Sequence, residues 1–235
     1  MDELLPPTAR GVHEERPYWL WLPDADPPWP AMVILHGAGS RKENHGDFGR
    51  ACRAGGWAAL AYDQRGHGES TDLMAPQALE DVGRMARFLA GQDGVDPARV
   101  FARGSSMGGF MAVHAAAVTP EIAGVVAICP AGEEYLLRGL RSGTLEMRTD
   151  EASRTALEAW LGEHDLREAV ELLGAKPLLL IHAEGDEQIP FEFSRELYER
   201  ASDPRKLILL PGGHHRSAQH DAELQGVALR WLERS

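Results

Sequence analysis

The chain is short of cysteine, of long apolar runs and of positive charge, and each shortage narrows what it can be. Two cysteines, Cys52 and Cys129, are too few for a disulfide framework. No stretch approaches the roughly 18 consecutive apolar residues that span a bilayer, so no membrane helix is expected. With 24 Lys and Arg against 36 Asp and Glu, the formal net charge is -12. Such a surface repels a phosphate backbone or an anionic membrane face, so neither nucleic acid nor membrane is an expected partner. Residues 1–10 carry Asp2 and Glu3 and no apolar run, which predicts no secretory leader and a cytoplasmic protein. There is no long polar tract, internal repeat or low-complexity linker, which argues against disorder. No Gly-x-x-x-x-Gly-Lys-Ser/Thr and no Gly-x-Gly-x-x-Gly after a strand occurs, and no His and carboxylate pair stands at metal-ligand spacing. Neither a cofactor nor a metal is therefore expected.

What is present is 235 residues, 43% of them apolar, enough for the core of one α/β domain over residues 1–235. Apolar runs at 17–22, 31–35, 57–62, 99–102, 122–129, 178–182 and 207–210 read as strands. Segments 44–54, 76–90, 107–118, 191–201 and 221–233 read as helices, the first ended by Gly55-Gly56. Asp96-Pro97 marks a turn before the strand at 99–102. Near-continuous apolar strands alternating with helices predict a mostly parallel sheet covered on both faces, a three-layer α/β architecture. Right-handed crossovers then bring the strand C-terminal ends to one edge, where ligands bind in open α/β sheets. Residues 133–175 interrupt the alternation with about 40 residues, including helix-favouring stretches at 151–161 and 165–173. They are read as a small helical cap over that edge, against the alternative of two ordinary surface helices.

The strongest local signal is Gly104-Ser105-Ser106-Met107-Gly108-Gly109, a Gly-x-Ser-x-Gly centred on Ser106 between a predicted strand and a predicted helix. The sharp turn lifts the serine hydroxyl above the sheet, and the glycines keep side chains out of the turn. Ser105 lies off the centre of the motif. A serine nucleophile needs a base, and the base an orienting acid. Asp186, after the strand at 178–182, stands on the correct edge, with Glu184 and Glu187 as lesser candidates. Pro211-Gly212-Gly213-His214-His215 follows the next strand; the Pro-Gly-x-x-His spacing favours His215 as the base, with His214 the alternative. His220 is placed at the start of the last helix. His36-Gly37-Ala38-Gly39 follows the strand at 31–35, and the backbone N–H groups of Ala38 and Met107 are the expected oxyanion donors. His36 itself is read as a structural histidine packed under the loop. Of the six tryptophans, Trp160 in the cap is the one placed to line an acyl pocket.

Together with Asp63-Gln64-Arg65-Gly66-His67-Gly68-Glu69-Ser70, these motifs resemble the α/β-hydrolase superfamily over roughly residues 30–235. Within it the chain looks most like small bacterial serine esterases and serine-peptidase-like hydrolases. One departure is Arg103, a charge where a more apolar residue is common before the elbow. The N-terminal part is short for the family's eight-stranded sheet, so about seven strands are expected. The resemblance implies acyl transfer through a serine ester intermediate without metal or cofactor. The expected reaction is cleavage of a small-molecule carboxylic ester by Ser106, His215 and Asp186. Amidase, aminopeptidase-like or thioesterase activity with the same triad is the alternative, and a non-catalytic binding protein of this fold a more distant one. A homodimer is left open.

Overall fold

The computed structural model describes residues 5–235; the part of the leader reading that rests on residues 1–4 lies outside the described residues. Eight strands form one sheet: β1 (Ala9–His13), β2 (Arg16–Trp21), β3 (Trp29–Leu35), β4 (Ala58–Tyr62), β5 (Val95–Ser105), β6 (Ile122–Ile128), β7 (Leu178–Ala183) and β8 (Arg205–Leu210). Their spatial order is β1-β2-β4-β3-β5-β6-β7-β8. β2 is antiparallel to β1 and to β4, and every other pair is parallel. Strands β4 and β7 are buried at every position, which is why they read as unbroken apolar runs.

Helices cover both faces. α1 (Gly46–Ala54) and α8 (Ala222–Leu232) close one side around Trp21, Phe48, Trp57 and Leu229. α2 (Ala78–Ala90), α3 (Met107–Val118), α6 (Leu166–Leu172) and α7 (Phe191–Arg200) close the other around Leu60, Val82, Phe110 and Leu180. α3 is apolar all round and buries ten of its twelve residues, as a helix enclosed on every side should. No helix of the described residues is long and apolar enough to cross a membrane.

Two expectations need correction, and a third is extended. The sheet has eight strands rather than about seven, because residues 9–13 add an edge strand joined to β2 through Glu14 and Glu15, both with positive φ. That strand shows Val12 to solvent and has one neighbour only, so its sequence carries no apolar run. Asp96-Pro97 does turn the chain, with Asp96 Oδ1 accepting from Ala98 N–H at 3.0 Å. The turn lies inside β5, where the register jumps from Trp29↔Val95 to Ala31↔Val100, rather than before the strand. The segment 133–175 holds three helices, α4 (Glu133–Ser142), α5 (Glu151–Leu161) and α6, of which only the last two match predicted stretches.

The chain leaves β3 for β4 on one side and returns through α2 to β5 on the other. β3 and β5 are therefore the pair at which strand order reverses, and the loops after them face each other across a crevice. Leu35 pairs with Gly104, which sets the His36–Ser40 loop beside the serine turn.

Candidate active site

The turn after β5 is held by close packing. Ser106 adopts φ 53° and ψ −120°, a sparsely populated conformation that costs on the order of 1–3 kcal/mol. A Cβ on Gly104 would lie 2.0 Å from Gly108 O, and one on Gly108 would lie 2.4 Å from Leu35 O. Both contacts are with backbone that has nowhere to go, so the motif needs glycine at these two places. Ser106 N–H donates to Ile128 O at 2.9 Å, tying the turn to β6 as well. Ser105 is the last residue of β5 and is buried.

The loop after β7 carries Asp186, the candidate acid. Asp186 is fully buried at its side chain, and four donors converge on it. Oδ1 accepts from Gln188 N–H at 2.8 Å and Ile189 N–H at 2.9 Å. Oδ2 lies 2.7 Å from His215 Nδ1 and 3.2 Å from His182 Nε2. Burial opposes the charge, but the hydrogen bonds from His182, His215 and Ile189 outweigh it and hold the carboxyl far below the usual range. Of the two adjacent histidines, the structure pairs His215 with Asp186. His214 turns away: its N–H donates to Ser217 Oγ at 2.8 Å and its Nδ1 accepts from Arg216 N–H at 3.2 Å. Glu184 is exposed, and Glu187 accepts the His215 N–H at 3.2 Å rather than meeting its ring. His220 ends a 3-10 turn just before α8 and pairs with Asp47 at 2.9 Å.

Ser106 and His215 line one open cavity of about 690 Å³, together with Ala38, Gln188, Arg216 and Glu146. No hydrogen bond joins the Ser106 hydroxyl to the His215 ring in this structure. Such contacts are often loose without substrate and tighten in the complex. Among the described residues the N–H groups of Ala38 and Met107 meet no acceptor, whereas Gly39 N–H is taken by Glu146 O at 2.8 Å. Met107 is the first residue of α3, so its N–H has no partner within the helix, and the helix dipole favours negative charge there. His36 is structural, as expected. Its Nε2 accepts from Gln64 N–H at 3.1 Å, so Nδ1 carries the proton and donates to Gly37 O at 2.8 Å. Burial first, and then His67, push its pKa down to about 4.

The Asp63–Ser70 stretch is scaffolding for these loops. The Asp63 carboxylate accepts from Lys42 N–H, Lys42 Nζ and Glu69 N–H at 2.9, 2.7 and 2.8 Å. Arg65 bridges Asp81 and Asp72. Arg103, the unexpected charge, is buried and directed away from the serine. It donates to His45 Nδ1 at 2.9 Å and Gln219 O at 2.6 Å, and burial pushes its pKa down to about 10.

Two further groups at the site were not singled out from the sequence. His182 sits at the end of β7 with Nδ1 2.7 Å from Ser194 Oγ and Nε2 3.0 Å from Ile189 O, and so props Asp186 from behind. A polar residue at the end of the run Leu-Leu-Leu-Ile-His was the available signal. Cys129 follows β6, with donor atoms of Cys129, Asp186 and His215 all within 4.8 Å of one another. Burial pushes its thiol up to about 12, which keeps it protonated and a poor metal ligand.

Between α4 and α5, residues 143–150 form a strap across the site loops. Besides the Glu146 bond to Gly39, Arg148 N–H donates to Gly66 O and Met74 N–H donates to Arg148 O, each at 2.9 Å. Leu136, Leu157 and Leu166 of the insert join the same apolar core as the sheet, so the insert is not a separate unit.

A family model described as serine aminopeptidase, S33, matches residues 26–142, which include the His36 loop, the Asp63–Ser70 stretch and the serine turn. The chain is 26% identical over 205 residues to an uncharacterised Mycobacterium tuberculosis protein, covering 86% of this chain and 68% of that one. Among solved structures it is similar to an alpha/beta hydrolase, GrgF, from a Penicillium species, at TM-score 0.77 and 18% identity over 96% of this chain and 97% of that one. Est1E from Butyrivibrio proteoclasticus aligns at TM-score 0.73 and 19% identity, over 94% and 95% of the two chains. At these identities the structural likeness is one of fold.

Proposed function

The chain belongs to the α/β-hydrolase superfamily, and from that premise we propose that it is a serine hydrolase cleaving small-molecule carboxylic esters through an acyl-enzyme. The observation that carries this reading is the Asp186–His215 contact at 2.7 Å, made at the wall of the cavity that the strained Ser106 also lines. Ser106 Oγ attacks the ester carbonyl as its proton passes to His215 Nε2. Asp186 fixes the tautomer and stabilises the imidazolium. The oxyanion lies against the free N–H groups of Ala38 and Met107. The imidazolium then protonates the leaving alcohol, the C–O bond breaks, and the acyl group remains on Ser106. Water, deprotonated by His215, attacks the acyl carbonyl and releases acid and free serine. The helical insert serves as a cap, and the enzyme works in the cytoplasm on its small substrate without metal or cofactor.

The aminopeptidase description of the matching family supports a second reading, in which the same residues cleave an aminoacyl amide. Matched esters, thioesters and aminoacyl amides separate the two by relative kcat/KM. The test of the shared chemistry is labelling of Ser106 by a fluorophosphonate, with ester turnover falling by on the order of 10⁶ in a Ser106→Ala protein. A Ser106→Ala protein that hydrolyses simple esters at the wild-type rate sinks the proposal.

A further inference from the structure

Beside the large cavity lies a much smaller one. It is a slot of about 20 Å³, room for roughly one water, and its lining is wholly apolar. Its walls include Met107 and Phe110 of α3, Leu145 and Met147 of the strap, and Leu157 and Trp160 of α5. Four of the chain's seven methionines line it. Methionine has three rotatable bonds and no branch, so such a slot yields to an incoming chain by changes of rotamer. Leu145 lines both the slot and the open cavity, and Met107 of the slot follows Ser106 of the cavity in the chain, so the two spaces are neighbours separated at Leu145.

The chemistry of acyl transfer orients a substrate between them. The carbonyl oxygen points to the Ala38 and Met107 N–H groups. The leaving group must lie on the His215 side, because His215 protonates it. That wall is polar, with Gln188, Arg216 and Gln219. The third substituent of the carbonyl, the acyl chain, then has one apolar direction to follow, past Met107 and Leu145 toward Trp160. The strap is pinned by its backbone hydrogen bonds, so the movable wall is the methionines and the half-buried Trp160, which meets Phe110 edge-on at 5.8 Å.

Resting on the serine-hydrolase reading, we propose that this slot is the acyl-chain site, and that the substrates are esters of unbranched, uncharged aliphatic acids with polar leaving groups. The slot stays shut until the chain enters, and Leu145 is its threshold. Each methylene buried there raises kcat/KM by up to about fourfold, less the part spent on opening the slot. The chain length at which the gain stops reports the depth reached.

The experiment is a series of 4-nitrophenyl esters from acetate to decanoate, measured as kcat/KM on the wild type, Leu145→Phe and Trp160→Ala, with thermal unfolding to verify folding. The wild type should prefer butanoate to acetate by about tenfold, somewhat under two full methylene increments. Leu145→Phe, which fills the threshold, should bring that ratio near one. Trp160→Ala, which removes the far wall, should move the optimum to longer chains. A wild-type rate that falls from acetate onward, or a profile that neither variant alters, overturns the acyl-site assignment. If Ser106 is still labelled by the fluorophosphonate and acetate is still cleaved, the serine-hydrolase reading survives that loss. If neither happens, both fall together.

Discussion

Replacing Asp186 with asparagine keeps the size of the side chain and changes what two imidazoles must do. Oδ1 accepts the N–H groups of Gln188 and Ile189 at 2.8 and 2.9 Å, so the amide oxygen takes that place. The NH₂ then faces His215 Nδ1 and His182 Nε2, which lie 2.7 and 3.2 Å from Oδ2. His215 Nδ1 is forced to accept, its proton moves to Nε2, and the ring can no longer take the proton of Ser106. The corresponding exchange in a serine protease lowers kcat by about 10⁴, and a loss of that order is expected here. Fluorophosphonate labelling should slow in parallel. Two favourable contacts to a buried charge are also lost, so D186N should be less stable by about 3 kcal/mol near neutral pH. The pH dependence follows in sign. The folded-state pKa of Asp186 is depressed, so the ionised carboxylate stabilises the fold above its unfolded pKa of about 3.9, and that contribution fades as pH falls through the folded value. Urea unfolding should therefore show a constant gap between wild type and D186N from neutral pH down to about pH 5, narrowing below about pH 4. A D186N protein keeping more than about a tenth of wild-type kcat/KM would refute the assignment of the acid. A stability gap that widens on acidification would refute the electrostatic reasoning.

Of the paired histidines, His215→Ala should abolish ester turnover, whereas His214→Ala should retain most of it; steady-state kinetics on one ester decides, and the reverse ranking would exchange their roles. Gly108→Ala should destabilise the fold by about 3 kcal/mol or more, because its Cβ meets Leu35 O at 2.4 Å and the strand cannot retreat; urea unfolding measures this. His182→Leu leaves Ser194 Oγ and Ile189 O without their partner and removes one donor from Asp186, for an expected loss of about 2–3 kcal/mol. His182→Gln should recover part of that loss, since its amide can still donate toward Asp186, and a Gln variant no better than Leu in urea midpoint would count against the prop.

The parts of this molecule that the sequence makes legible are those where a single physical demand dominates. β4, β6 and β7 are buried on both faces and show as apolar runs; α3 is enclosed on all sides and shows as a run of small and apolar residues. The serine turn is legible because backbone crowding admits only glycine at 104 and 108. What escaped was decided by neighbours distant in sequence. β1 exists because β2 offers it an edge, not because Ala-Arg-Gly-Val-His favours a strand. Arg103 is acceptable before the turn because His45 and Gln219, from opposite ends of the chain, receive its guanidinium. His182 was hidden in an apolar strand because the carboxylate that it supports comes from the following loop. Between His214 and His215 the Pro-Gly-x-x-His spacing already favours the second, and it is His215 whose Nδ1 lies against Asp186.

The bond from Gly39 N–H to Glu146 O divides the donors of one short loop between two clients. In the proposed mechanism Ala38 N–H serves the oxyanion, while the N–H of its neighbour Gly39 is engaged by the strap. The insert thus fixes the backbone of the loop that the proposed mechanism uses as its anion-binding corner. Anyone trimming residues 133–175 to make a minimal catalyst would release that corner and, with Leu136, Leu157 and Leu166 gone, would also uncover the core on which the sheet rests.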